Sequence, residues 1–229
     1  MYKTEMHCHS ANVSTCAHAT AEEIVEKYTA AGYTTIVNTE HINPWTFPRD
    51  LEVRTWGEKV SYFIDGYKKL CAAAEGKLHI LLGAEIRFFR ENNSDYLVYG
   101  ITEEFLRECG DVRALDINRL SHIVREHGLM IFQAHPFRPT MMVTDPRLLD
   151  GIEIGNFSPW HESNNEIAEV WAKKYNLLGI TGTDFHNSEH EPASGIITEY
   201  PIYDNETLLR TLRAGAYKCI YPEDVKPAD

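Results

Sequence analysis

The chain of 229 residues contains no apolar run near the roughly 20 residues that a membrane-spanning helix needs, so no helical anchor is expected. It also lacks any C-x-x-C pair. Cys8, Cys16, Cys71, Cys109 and Cys219 are scattered and odd in number, which argues against a disulfide framework and for reduced thiols in a cytoplasmic protein. No basic excess is present either. The formal net charge of −12 argues against general nucleic-acid binding, which wants a basic face. Bound divalent ions would add positive charge at one point, enough to draw in an anion in spite of the acidic surface. No low-complexity stretch or linker divides the sequence, so one domain over residues 1–229 is expected. The first apolar run starts at residue 3, so no cleaved leader is expected.

What the sequence does have is a regular alternation of short apolar runs and helical patterns. Strands are expected at residues 3–8, 34–38, 79–83, 96–101, 129–133, 151–154, 178–181, 195–199 and 218–221. Thr20-Ala21-Glu22-Glu23 is a capping box, with Gly32 closing the helix it opens. Ser163-Asn164-Asn165-Glu166 reads as a second box, opening a helix to about Tyr175. From Val53 to Ala74 apolar residues recur every three to four positions, which predicts one long helix stopped by Gly76. Asp116 caps another, closed by Gly128, and a last helix covers about 206–214. Strands alternating with helices imply parallel βα units. An open sheet would gather functional residues at one switch point, whereas here chemistry-bearing residues follow at least five strands along the whole chain. A closed ring brings such strand ends together, so a single-domain α/β, TIM-like barrel, distorted to seven strands, is expected.

Those residues share one pattern. His7 and His9 stand at i and i+2 at a strand end and point to the same side. Asp184 and His186 repeat that spacing near the other end of the chain. Between them, His41, Glu85 and His135 each follow an apolar run, and a carboxylate such as Glu85 in that setting is a costly burial unless it meets a cation. Imidazole and carboxylate are the ligands of zinc, iron and manganese ions. His18 joins the expected ligand set because its loop starts close to His9. Asp95, immediately before the run at 96–101, is included on position alone. His79, His122, His127 and His190 read as non-ligands, and His161 as a rim residue that contacts substrate.

With these motifs in order, the chain resembles the PHP (polymerase and histidinol phosphatase) family over most of its length. His7-Cys8-His9 matches its first motif, and Ser14 to Ala19 resembles an element of the histidinol-phosphatase-like branch. Thr39-Glu40-His41 stands where that family has Thr-Asp-His, and Gly83-Ala84-Glu85, His135-Pro136 and Gly182 to His186 match the later motifs. The resemblance implies a seven-stranded barrel holding two or three divalent ions (Zn, Fe or Mn). It assigns His7, His9, His18, His41, Glu85, His135, Asp184 and His186 as ligands. The family's ninth ligand, a histidine between the Gly-x-Glu and His-Pro motifs, is missing here, and Asp95 is the nearest replacement.

The implied activity is hydrolysis of a phosphoester, of the phosphomonoester or nucleotide type, by a hydroxide bridging two ions. Glu85 and Asp184 are expected to hold the ions close together. Arg138 is the expected phosphate clamp, with Arg87 a second choice. The expected partner is therefore a small phosphorylated substrate. Two other readings compete. A C–N hydrolase of the amidohydrolase type commonly carries a bridging lysine at its fourth strand, and no lysine stands near Glu85 or residues 96–101. A non-catalytic metal-binding module of the same fold is the third, against which the near-complete ligand set speaks.

Overall fold

Local chemistry sets the first elements. In the computed structural model, which describes residues 1–90 and 93–224, β1 (Tyr2–Cys8) leads through a loop to α1 (Ala21–Ala30). The Thr20 capping box forms as the sequence predicts, its side chain accepting from Glu23 N and Glu23 reaching back to Thr20 N. β2 (Tyr33–Asn38) and the two-residue β3 (His41–Ile42) follow. The long helix expected over Val53 to Ala74 forms as α3 (Trp56–Ala73), starting three residues later than expected, and a separate short helix, α2 (Arg49–Glu52), precedes it. Thr55 and Glu58 form a capping box of their own, which sets the start of α3 and leaves Val53 87% exposed.

β4 (His79–Ile86) and β5 (Tyr96–Tyr99) come next, then α4 (Glu103–Cys109), α5 (Ile117–Glu126) and β6 (Met130–Gln133). The chain ends with β7 (Gly151–Asn156), α6 (Asn165–Tyr175), β8 (Leu178–Gly182), β9 (Gly195–Thr198), α7 (Asn205–Ala214) and β10 (Lys218–Ile220). The box expected at Ser163 does not form. Asn164 is the N-cap, left-handed at φ 49° and without a side-chain cap bond, while Ser163 Oγ donates to Asn156 Oδ1.

The strands make one mixed sheet in the order β10-β9-β1-β2-β4-β5-β6-β7-β8, with β3 also on β4. Most central pairs are parallel, but β5 runs antiparallel to both β4 and β6. The expectation of uniformly parallel strands is corrected here. Residues 87–95 are too few for a crossover, which takes about a dozen residues or more, so the chain must turn straight back. β9 is likewise antiparallel to β1 and β10.

The sheet curls until β8 returns beside β1. His9 N donates to Phe185 O at 2.9 Å and Phe185 N to His7 O at 3.2 Å. Gly182 permits that approach, since a Cβ there would sit 2.5 Å from His7 Cβ and 2.7 Å from Glu153 Oε1. The result is a nearly closed, barrel-shaped α/β domain of the TIM-like kind. α3, α4, α5 and α6 bury an apolar layer against β4–β7 around Phe63, Val98 and Ile152. α1 does the same for β1 and β2 through Ile24, Tyr28 and Ile36, and α7 packs Leu208 and Leu212 beside Met6 and Tyr99. No described helix is long and apolar enough to cross a membrane.

Candidate metal centre

One rim of the barrel collects the strand ends. His7 and His9 leave the end of β1, and β3 pairs with β4 in the register His41 to Glu85. His135 follows β6, and Asp184 and His186 follow β8. The reversal of β5 explains how Asp95 joins them: the start of an antiparallel strand lies on the same rim as the ends of its neighbours. His135 (φ 29°) and Asp184 (φ 52°) both sit in the left-handed region, a strained conformation for side-chain-bearing residues that concentrates at functional sites.

The side chains converge tightly. Glu85 Oε2 lies 3.4 Å from His7 Nε2, 3.3 Å from His9 Nε2 and 2.9 Å from His41 Nδ1. Asp184 Oδ1 lies 3.4 Å from both His7 Nε2 and His9 Nε2. His135 Nε2 is 3.1 Å from Glu85 Oε1 and 3.9 Å from Asp95 Oδ2. Among the described residues, four groups have the reach to hold an ion: His9, His41 and His186; His7, His9 and Glu85; His7, His135 and Asp184; and Glu85, Asp95 and His135.

The donor atoms fit metal ions better than they fit one another. His7 Nε2, His9 Nε2, His41 Nδ1 and Glu85 Oε2 are buried, and none has a hydrogen-bond partner among the described residues. The other nitrogen of three of the rings is already fixed. His7 Nδ1 is 3.0 Å from Glu153 Oε1, His9 Nδ1 is 3.3 Å from Ser14 Oγ, and His186 Nδ1 donates to Asp184 O at 2.9 Å. Fastening one ring nitrogen and aiming the other inward is how proteins orient imidazole ligands. Charge points the same way. Glu85, Asp95, Glu153 and Asp184 are all buried, and the guanidiniums that meet them are Arg87 and Arg138. Each buried carboxylate costs several kcal/mol without compensation.

The titration behaviour follows from this crowding. Burial disfavours the charged form of His7, yet Asp184, Glu153 and Glu85 hold its pKa well above the ordinary value. Burial, with His41 and His186 beside it, pushes His9 well below. Burial acts against the ionised forms of Glu85 and Asp184, but His7 with His41 in one case, and His7 with His186 in the other, keep both well depressed. Asp95 is raised by burial and by Glu85.

The remaining expected residues separate. Arg138 Nη2 donates to Asn156 Oδ1 and Asp184 Oδ2, both at 2.9 Å, while its Nε is buried without a described partner. Arg87 grips Asp95 through two nitrogens and lies over Trp45. His161 is an exposed rim residue on a cleft of about 380 Å³ that opens onto His41, Glu85 and Asp184. His18 is not brought in. Its ring is exposed and belongs to none of the four groups, because its backbone pairs with the carbonyl of His186.

Sequence reasoning missed Glu153, which holds His7 Nδ1 and accepts from His135 N at 2.9 Å and Asn156 Nδ2 at 3.0 Å. Its signal was a carboxylate inside a buried apolar run, the same one that marked Glu85. Ser14 was passed over as well: it touches His9 Nδ1, receives His41 N at 3.0 Å, and donates to Glu40.

No family model and no curated protein matches the sequence. Solved structures do match in fold. A two-domain protein containing a predicted PHP-like metal-dependent phosphoesterase from Bacteroides vulgatus aligns with a TM-score of 0.63 at 16% identity, over 96% of this chain and 64% of that one. The lesion-specific endonuclease EndoQ from Pyrococcus furiosus gives 0.66 at 14% identity, over 95% of this chain and 57% of that one. An amidohydrolase from Chromobacterium violaceum, with bound sulfate and no metal, gives 0.57 at 12%, over 96% and 98%. The chain therefore spans under two thirds of the first two proteins, and at these identities what it shares with all three is the fold. Because one of them is an endonuclease, the acidic net charge does not exclude nucleic acid for this fold, and that expectation loses its support.

Proposed function

We propose that the chain is a metal-dependent phosphoesterase of the PHP type, acting on a phosphorylated substrate at the rim centred on Glu85. The observation that carries the reading is the convergence of three imidazole nitrogens on one buried carboxylate oxygen, with no hydrogen bond among them. His7, His9, His41, Glu85, Asp95, His135, Asp184 and His186 would hold two or three ions of the zinc, iron or manganese type. Bound there, such ions acidify coordinated water and offset the charge of a phosphoryl group.

The chain's own residues supply orientation. Glu85 belongs to two of the four ligand groups and Asp184 Oδ1 faces both His7 and His9, so the two carboxylates would bring cations close together. Glu153 keeps the His7 proton on Nδ1 and its Nε2 free. Arg138 is immobilised by Asn156 and Asp184 on the cleft wall before any substrate arrives, which leaves its guanidinium positioned to meet a phosphoryl oxygen. Arg87 acts through Asp95, holding that carboxylate toward His135. His161 faces the substrate from the rim, and burial and the nearby Arg138 lower its pKa.

The amidohydrolase-like fold neighbour favours C–N hydrolysis as the second reading. The absence of a lysine near Glu85 ranks it behind. The test is metal analysis with turnover of aryl phosphate mono- and diesters and of an aryl amide. Zinc-, iron- or manganese-loaded protein is expected to cleave an ester and to lose that activity with chelator. A full complement of ions with no ester cleavage contradicts the proposal, and amide cleavage alone selects the second reading.

A further inference from the structure

The walls of the cleft above the metal centre carry two side chains that the proposed chemistry leaves unused. The chain has four tryptophans. Trp56 and Trp171 pack against the apolar layer around Phe63 and Ile152. Trp45 and Trp160 instead stand 62% and 52% exposed, and both line the cleft of about 380 Å³ that opens onto His41, Glu85 and Asp184. An indole in water forgoes the gain that burial would bring. One exposed apolar ring is ordinary, but two on the walls of one cleft beside buried polar groups mark a ligand surface.

Neither indole is exposed because its segment is loose. Trp45 follows β3 by three residues, and its backbone N–H donates to Asn43 Oδ1 at 2.8 Å. The buried Thr46 Oγ1 donates to His41 O at 3.0 Å and accepts from Asn43 N at 2.9 Å. The backbone under the indole is thereby tied to that of His41. The Arg87 guanidinium, gripped by Asp95, lies 5.9 Å from the Trp45 ring centre. Trp160, between β7 and α6, has its ring centre 6.4 Å from that of His186. It stands edge-on to His190 at 4.4 Å, and the buried His190 accepts from His186 N on Nδ1 at 3.3 Å. The two rings therefore reach the centre from its Arg87–Asp95 side and from its His186 side.

We propose that Trp45 and Trp160 form the subsite for the organic half of the substrate, and that this half carries a flat aromatic ring. The proposal rests on the phosphoesterase reading and names the class of ester: a nucleoside phosphate or the phosphate of an aryl-bearing alcohol. Charge supports it. Of the two guanidiniums on the cleft, Arg138 is the phosphoryl clamp and Arg87 is committed to Asp95 through two nitrogens. That arrangement suits one phosphoryl group followed by a neutral moiety. An indole face binds another ring by stacking, a contact that every nucleobase offers and a small aliphatic alcohol does not.

Two pairs of esters test this. Adenosine 5′-monophosphate and ribose 5-phosphate share the scissile bond and differ by the base, and 2-phenylethyl phosphate and propyl phosphate differ by the phenyl ring. Metal-loaded wild type is expected to favour a ring-bearing member in kcat/KM by about 5- to 150-fold, the range that stacking on an aromatic side chain gives. Trp45→Ala and Trp160→Ala should each shrink that preference, chiefly through KM for the ring-bearing ester, at unchanged metal content. Trp45→Phe and Trp160→Phe keep a ring and should keep most of the preference. Preference within the first pair alone selects nucleosides, and within the second alone aryl alcohols. No preference in either pair, or one that survives in both alanine variants, overturns the proposal and leaves the phosphoesterase reading standing. Where wild type turns over none of the four, calorimetric binding of the same esters to the metal-loaded protein decides in the same terms, and the missing cleavage counts against the phosphoesterase reading alone.

Discussion

The rim is built in two ways, and the contrast between them is instructive. His7, His9, His41 and Glu85 stand on or next to strands whose neighbours fix their direction through ladder pairing. The β1–α1 loop has no ladder, and its course depends on the hydrogen bonds of Glu40 to Ser10 and Ser14. Strand geometry converts spacing directly into orientation, since i and i+2 share a side. In the loop, Cys16 and His18 share that same spacing, yet one lines the cleft and the other faces water.

The sharpest way to break the comparison is on the strand side. Removing a proposed shared ligand, as in His7→Ala or Glu85→Gln, should lower kcat/KM by on the order of 10³-fold or more, with loss of bound metal measured on the same sample. Retained metal and turnover in both would remove those residues from the centre. One layer out, Glu153→Gln keeps a hydrogen-bond acceptor for His7 Nδ1 but discards the charge. Metal affinity should drop about 10- to 100-fold, as for other partners of ligating imidazoles, in a competition titration with a chromogenic chelator.

Arg138→Ala removes a charged donor, a loss of roughly 1.5–3 kcal/mol or about 10- to 150-fold, expected mainly as a raised KM at unchanged metal content. Unaltered kinetics on every ester turned over would take Arg138 out of the site. The smallest effect belongs to the loop. His18→Ala should leave metal stoichiometry unchanged and stability within about 0.5 kcal/mol, as for ordinary surface positions, by elemental analysis and thermal melting. Loss of an ion would restore His18 to the ligand set.

The same contrast explains what could be read from sequence. The strand-end motifs were legible because an apolar run followed by histidine or carboxylate has few structural explanations. Thr20 and Asp116 were legible as caps because their partners lie three residues away. The reversal of β5 was not, because its cause is the shortness of residues 87–95 rather than any pattern within the strand. The later start of α3 escaped because apolar periodicity continues through Val53, on the far side of the Thr55 cap. Glu153 was hidden for a different reason: it acts through His7, and no spacing connects residues so far apart in the chain. His18 faces water because a loop's direction is set by its distant partners, here Glu40 and the carbonyl of His186.

The proposed function rests on the rim holding a multinuclear metal centre, and an anomalous-scattering map of crystals grown from metal-loaded protein tests that most directly. Two or three peaks are expected, within about 2.0–2.3 Å of donor atoms from His7, His9, His41, Glu85, His135, Asp184 and His186. A map with no peak among these side chains, in crystals of protein incubated with zinc, iron and manganese, would contradict the account.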